Sequence, residues 1–80
     1  MICRRCGRPA TDMHHIFNAA LKKKSEKYGA LIPLCRRCHE FYHRNETENR
    51  KLKAKWQKKI MEDYGMSEEE WRLEFYRSYL

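Results

Sequence analysis

Two C-x2-C pairs, Cys3/Cys6 and Cys35/Cys38, enclose an adjacent histidine pair, His14-His15. The second cysteine pair runs directly into His39 and, one helical turn on, His43. Zinc takes four thiolates tetrahedrally, and paired C-x2-C elements bring four sulfurs to one ion. The spacing therefore predicts a structural Zn²⁺ held by Cys3, Cys6, Cys35 and Cys38. Such a site is closed and needs no further ligand. His14, His15, His39 and His43 are then left to build a second, open site. A mixed Cys/His zinc site, using one of the His14-His15 pair or His39 in place of a thiolate, is the rival ligand set, although two complete C-x2-C pairs already close a tetrahedron.

An open imidazole site in a basic chain suits chemistry on phosphates. The formal charge is +7, and it is unevenly spread: residues 1–60 carry 16 Lys/Arg against 5 Asp/Glu, residues 61–80 carry 2 against 6. The cation excess thus coincides with the cysteines and histidines, and nucleic acid is the commonest partner of such a field. A phosphodiester resists attack because its charge repels nucleophiles and its leaving alkoxide is poor. Its hydrolysis needs a base for water, a cation at the scissile phosphate and departing oxygen, and basic groups to hold the strand. Neighbouring strand residues point to opposite faces, so His14 and His15 should divide these tasks. With His14 facing His39 and His43, three imidazoles make a facial metal site with open positions. His15 is then free as general base, a role suited to an imidazole, which titrates near ~6.5 in water. Lys22, Lys23, Lys24, Arg36 and Arg37 are the candidate contacts to the nucleic acid. Asp12, two before His14, is expected to share its face and orient it.

These residues need a frame. Eighty residues make one small domain, too short to rest on apolar burial alone, so a small α+β domain stapled by zinc is expected. Thr11 to Ile16 and Ala30 to Leu34 read as two short strands, Pro33 marking an edge. Asn18 to Gly29 is a basic connection with one or two helical turns, and Arg36 to His43 a short helix presenting His39 and His43 on one face. Asn45 caps a helix running to about Tyr64, with Leu52, Trp56, Ile60 and Tyr64 as its apolar stripe. Gly65 ends it, and Ser67 to Glu70 is a capping box opening a last helix whose apolar face is Trp71, Phe75, Tyr76 and Tyr79.

The order C-x2-C, His-His, C-x2-C-His-x3-His resembles the HNH endonucleases, specifically the zinc-stabilised subgroup whose four cysteines bracket the active hairpin. The stretch from His14-His15-Ile16-Phe17 through Ser25-Glu26-Lys27-Tyr28-Gly29 to Leu34-Cys35 is similar to small phage and prophage proteins of that family. The resemblance implies a ββα-metal, treble-clef-like core over residues 1–45 and a helical extension over 46–80, together one domain of 1–80. It also implies that His14 and His39 bind a catalytic divalent ion, that His43 matches a further histidine of the histidine-rich members, and that His15 activates water. Imidazole ligation suits Mn²⁺, Ni²⁺, Zn²⁺ or Co²⁺ more than Mg²⁺. The implied activity is nicking of DNA, expected to be duplex, to 5′-phosphate and 3′-hydroxyl ends, with a second copy or a partner protein needed for double-strand breaks or targeting. One position departs from the family pattern: Ala30 stands where the family has an asparagine that orients the base-bearing loop, and Asn18 reads as a turn residue rather than its substitute.

Three other readings compete. A non-catalytic zinc module for nucleic acid or protein would leave the histidines without a task. A thiol redox protein would need a βαβ context that the pattern lacks. A secreted disulfide framework would need a leader, and the chain opens Met1-Ile2-Cys3, so thiolates on zinc in a reducing cytoplasm are expected. No apolar run is long enough to cross a bilayer, so no membrane association is expected.

Overall fold

A computed structural model describes residues 1–80. In chain order the elements are β1 (Asp12–His15), a 3-10 turn (Ala19–Leu21), α1 (Lys22–Lys27), β2 (Leu31–Leu34), α2 (Arg36–Arg44), α3 (Glu46–Tyr64) and α4 (Glu68–Phe75). It is a small α+β fold with a two-stranded sheet and four helices, the class the residue pattern predicts. The strands pair antiparallel in the register Asp12↔Leu34, Met13↔Pro33, His14↔Ile32 and His15↔Leu31. Because paired residues point to one face, His14 shares its side with the buried Ile32, while His15 sits with Leu31 on the other.

An N-terminal knuckle hangs on this hairpin. Cys3 N–H donates to Arg8 O at 2.7 Å and Gly7 N–H to Cys3 O at 3.0 Å. Gly7, at φ +80°, supplies the left-handed turn that this return requires. Arg4 N–H donates to Pro33 O at 2.9 Å, fixing the knuckle to the edge of β2. The first and second cysteine pairs thereby lie side by side.

The helices start and stop where their capping residues dictate. Asn45 Oδ1 accepts from Glu48 N–H at 3.2 Å to open α3, and Gly65 closes it at φ 60°. Ser67 and Glu70 form the reciprocal capping box of α4. That helix packs its aromatics against Phe17, two residues past the histidine pair: ring centroids lie 4.8 Å from Phe75 and 5.5 Å from Trp71. The extension after residue 45 thus buttresses the segment that leaves β1. Two expected core residues fall outside it. Tyr64 is 58% exposed and Tyr76 is 74% exposed. A strict four-residue repeat drifts around a 3.6-residue helix, which carries Tyr64 off the core face. Tyr76 follows the end of α4 in a left-handed conformation, φ 69°, and turns out to solvent. The buried position on α3 that hydropathy does not flag is Gln57. It is fully enclosed, its Oε1 accepting from Tyr79 N–H at 2.6 Å and its Nε2 donating to Ser78 Oγ at 3.0 Å.

Candidate metal centres

The knuckle and the N-terminus of α2 bring the ligand atoms of Cys3, Cys6, Cys35 and Cys38 within 4.8 Å of one another. Cys6 and Cys35 sulfurs are 3.6 Å apart. That is far beyond a disulfide bond, and close to the edge of about 3.8 Å expected for a tetrahedron of sulfurs around zinc at about 2.3 Å. The donor chemistry fits as well. Burial works against ionising Cys3, yet the backbone amides of Cys35, Cys6 and Arg5 together overcome it and lower the thiol to about 6. The Cys38 amide likewise lowers Cys35. Burial pushes Cys38 up to about 11, opposed by the Arg5 guanidinium, whose Nη1 lies 3.6 Å from its sulfur while its plane covers Phe41 at 3.6 Å. Four thiols, knuckle amides and one arginine make a cluster suited to structural Zn²⁺.

A second cluster lies where β1 meets α2. Ligand atoms of His14, His39 and His43 come within 4.8 Å of one another, and ring centroids of His14 are 5.2 Å from His39 and 6.0 Å from His43. Spacing does this: His39 and His43 are one turn apart on α2, and β1 turns His14 toward them. Burial, followed by the repulsion of His39 and His43, depresses His14 to about 4, so at neutral pH its imidazole is uncharged with a lone pair to give. Its Nε2 is buried without a hydrogen-bond partner in the chain, as is Oδ1 of Asn49 beside it on α3; the amide favours protonated His14 without reaching bonding geometry. An orphaned buried nitrogen among two further imidazoles is what a cation site presents before its ion. The three histidines fit a divalent metal.

Carboxylates hold two of the rings, neither as expected. Asp12 faces His39 rather than His14: its Oδ2 is 2.9 Å from His39 Nδ1, which restrains that ring, and this bond to His39 is the main reason Asp12 is lowered. His15, on the other face of β1, has Nε2 3.1 Å from Glu26 Oε1 on α1. Glu26 went unrecognised from sequence. The only hint of it was its place in a basic helix, and a lone acid there reads as charge balance.

The loop after His15 is fixed by another side chain that had no role assigned from sequence. Ser25, fully buried on α1, accepts from Phe17 N–H at 2.8 Å and donates to Phe17 O at 2.5 Å. Ala30 is also fully buried, and its backbone joins the same structure, N–H to Ser25 O at 2.7 Å and O from Ile16 N–H at 2.9 Å. The candidate contacts to nucleic acid are scattered around this centre. Lys22 and Lys23 are exposed on α1, and Arg36 and Arg37 are exposed at the start of α2. Lys24 instead pairs with Glu74 of α4.

A family model described as HNH endonuclease matches residues 3–45, more than half of the chain and the whole of both ligand clusters. No curated protein and no solved structure matches it.

Proposed function

Because the chain belongs to the HNH endonuclease family, a family of nucleases, we propose that it is a metal-dependent DNA endonuclease that nicks one strand of duplex. Residues 1–45 form its catalytic core and 46–80 a helical extension of the same domain. The observation that carries this reading is the convergence of His14, His39 and His43 within 4.8 Å, with His15 next in the chain but on the opposite strand face.

In this reading the three imidazoles hold the divalent ion and His15 is the base. A cation held there supplies positive charge to the scissile phosphate and to the oxygen that departs. Glu26 accepts from Nε2–H of His15, which leaves the Nδ1 lone pair to take a proton from water. That water attacks phosphorus, the bond to the 3′ oxygen breaks, and the departing oxygen takes its proton from solvent, giving 5′-phosphate and 3′-hydroxyl ends. Asp12 keeps His39 aimed at the cluster. Ser25 restrains the backbone two residues beyond the base. Lys22, Lys23, Arg36 and Arg37 hold the strand by charge, so affinity should fall steeply with salt. One site cuts one strand, and a double-strand break requires a second copy or a second visit.

Supercoiled plasmid tests the proposal. Zinc-loaded protein with added Mn²⁺, Ni²⁺ or Mg²⁺ should convert it to open circles, and His15→Ala should not, at unchanged zinc content. Wild type that binds DNA but never relaxes it would make the chain a non-catalytic module.

A further inference from the structure

The C-terminal residues come from the acidic end of the chain, yet they return a cation to its basic half. After α4 the chain turns at Tyr76 and is pinned in three places: Trp71 Nε1–H donates to Arg77 O at 2.9 Å, Gln57 Nε2–H to Ser78 Oγ at 3.0 Å, and Tyr79 N–H to Gln57 Oε1 at 2.6 Å. A fully buried glutamine is costly unless its amide is satisfied, so Gln57 commits α3 to holding this tail. The result is a cleft of about 100 Å³ lined by Glu46, Asn49, Arg50, Lys53, Arg77 and Tyr79.

The cleft is short of negative charge. None of Arg50, Lys53 and Arg77 is in an ion pair within the chain. Lys53 Nζ and the Arg77 guanidinium carbon stand 5.4 and 5.3 Å from the centre of the Tyr79 ring, so two cations share one aromatic. Burial, followed by repulsion from Arg77, lowers Lys53, and Glu46 offsets this only in part. Asn49 lines the cleft and lies beside His14, so the cleft adjoins the histidine cluster. A further cationic groove, around Arg4, Lys55 and Lys59, is less open to a ligand because Lys59 is already paired with Asp63 at 2.8 Å.

We infer that Arg50, Lys53 and Arg77 form a phosphate-binding site, one that takes a non-scissile phosphate of the nucleic-acid strand whose neighbouring linkage lies at the histidines. This rests on the nuclease reading for its ligand. It assigns part of substrate binding to the extension, outside the matched residues 3–45. Guanidinium and ammonium groups lining one cleft suit phosphate oxygens, and a tail pinned by hydrogen bonds leaves little ordering to the moment of binding.

Equilibrium binding of a fluorescein-labelled DNA duplex, in zinc-loaded protein carrying His15→Ala to prevent cleavage, tests it across a salt series. Arg50→Ala, Lys53→Met and Arg77→Ala should each weaken binding on the order of fivefold near 0.1 M salt and reduce the salt slope by about one. Arg72→Ala, an exposed arginine paired with Glu68, should change neither. Circular dichroism and zinc content identify any variant that has lost its fold; for such a variant, Arg50→Lys, Arg77→Lys or Lys53→Arg keeps the charge and should keep the binding. Unchanged affinity and slope in folded variants overturn the cleft while leaving the nuclease reading intact. A parent protein that binds no DNA, and whose native His15 form nicks none, overturns the nuclease reading itself.

Discussion

His14 and His15 are adjacent in sequence and differ in every property that chemistry uses. One is buried, uncharged and aimed at two further imidazoles; the other lies across the strand beside a carboxylate. Strand alternation alone predicts that division of faces, which is why it was legible in the sequence. His15→Ala should therefore keep fold and zinc and lose nicking by about 10²- to 10⁴-fold, read on supercoiled plasmid; a variant that unfolds would contradict the split. The carboxylate partners were not legible. Asp12 and His39 are 27 residues apart and meet through the register of β1 with β2 and the entry angle of α2, so reading along β1 alone pointed Asp12 at His14. Asp12→Ala should weaken metal binding at the histidine cluster roughly 10- to 100-fold. Titration with Co²⁺, followed by its visible absorption in protein already loaded with Zn²⁺, measures this without recourse to activity. Unaltered affinity would mean the ring is held by packing alone.

At the scale of elements, starts and stops were written locally and cross-connections were not. Asn45, Gly65 and the Ser67–Glu70 box act within four residues of themselves, and both ends of α3 and the start of α4 fall where they put them, whereas the end of α4 at Tyr76 carries no such local signal. Ser25 and Glu74 act at a distance. Ser25 joins α1 to the loop after β1 by two hydrogen bonds in a fully buried setting; Ser25→Ala strands the Phe17 amide and carbonyl and should cost about 1 to 3 kcal/mol. Denaturant melts of the zinc-loaded protein check this, and a neutral substitution would show that water reaches the loop. Glu74 ties α4 to α1 through Lys24, Tyr28 and Lys27, and these hydrogen bonds, that of Lys24 foremost, lower it to about 2. A carboxylate depressed on folding stabilises above its unfolded value, which is near 4.3, and its contribution is lost as pH falls from there toward the folded value. The melting-temperature advantage of wild type over Glu74→Gln should accordingly be flat from pH 7 to about 5 and shrink only in acid. An advantage absent at pH 7 would disprove the tie.

The whole molecule is a small core assembled around its ligands. Only 14 of the 80 residues are buried, and two of these, Cys3 and Cys38, are zinc-site thiols counted within the hydrophobic cluster itself. The sheet has two strands, a number that rarely stands alone in water, so its register depends on what grips its ends. One end is held by the knuckle through Arg4 and Pro33, the other by Phe17 in the aromatics of α4. Removing zinc frees the knuckle and with it the edge of β2, and β1 then has no fixed register in which His14 meets α2. The free energy at stake in a structural zinc site, on the order of 10 kcal/mol, matches or exceeds the whole stability of most domains this small. Treatment with a strong chelator should therefore abolish helical circular dichroism and the packing of Trp71 together, and Zn²⁺ should restore both. Cys38→Ser should behave like the chelated chain. Stoichiometry separates the two centres: one tightly held zinc should refold the chain, and nicking should appear only as a second, weaker metal is titrated in. A single metal that both folds the chain and supports cleavage would merge the sites and defeat the division of sulfur from imidazole on which the proposed chemistry depends.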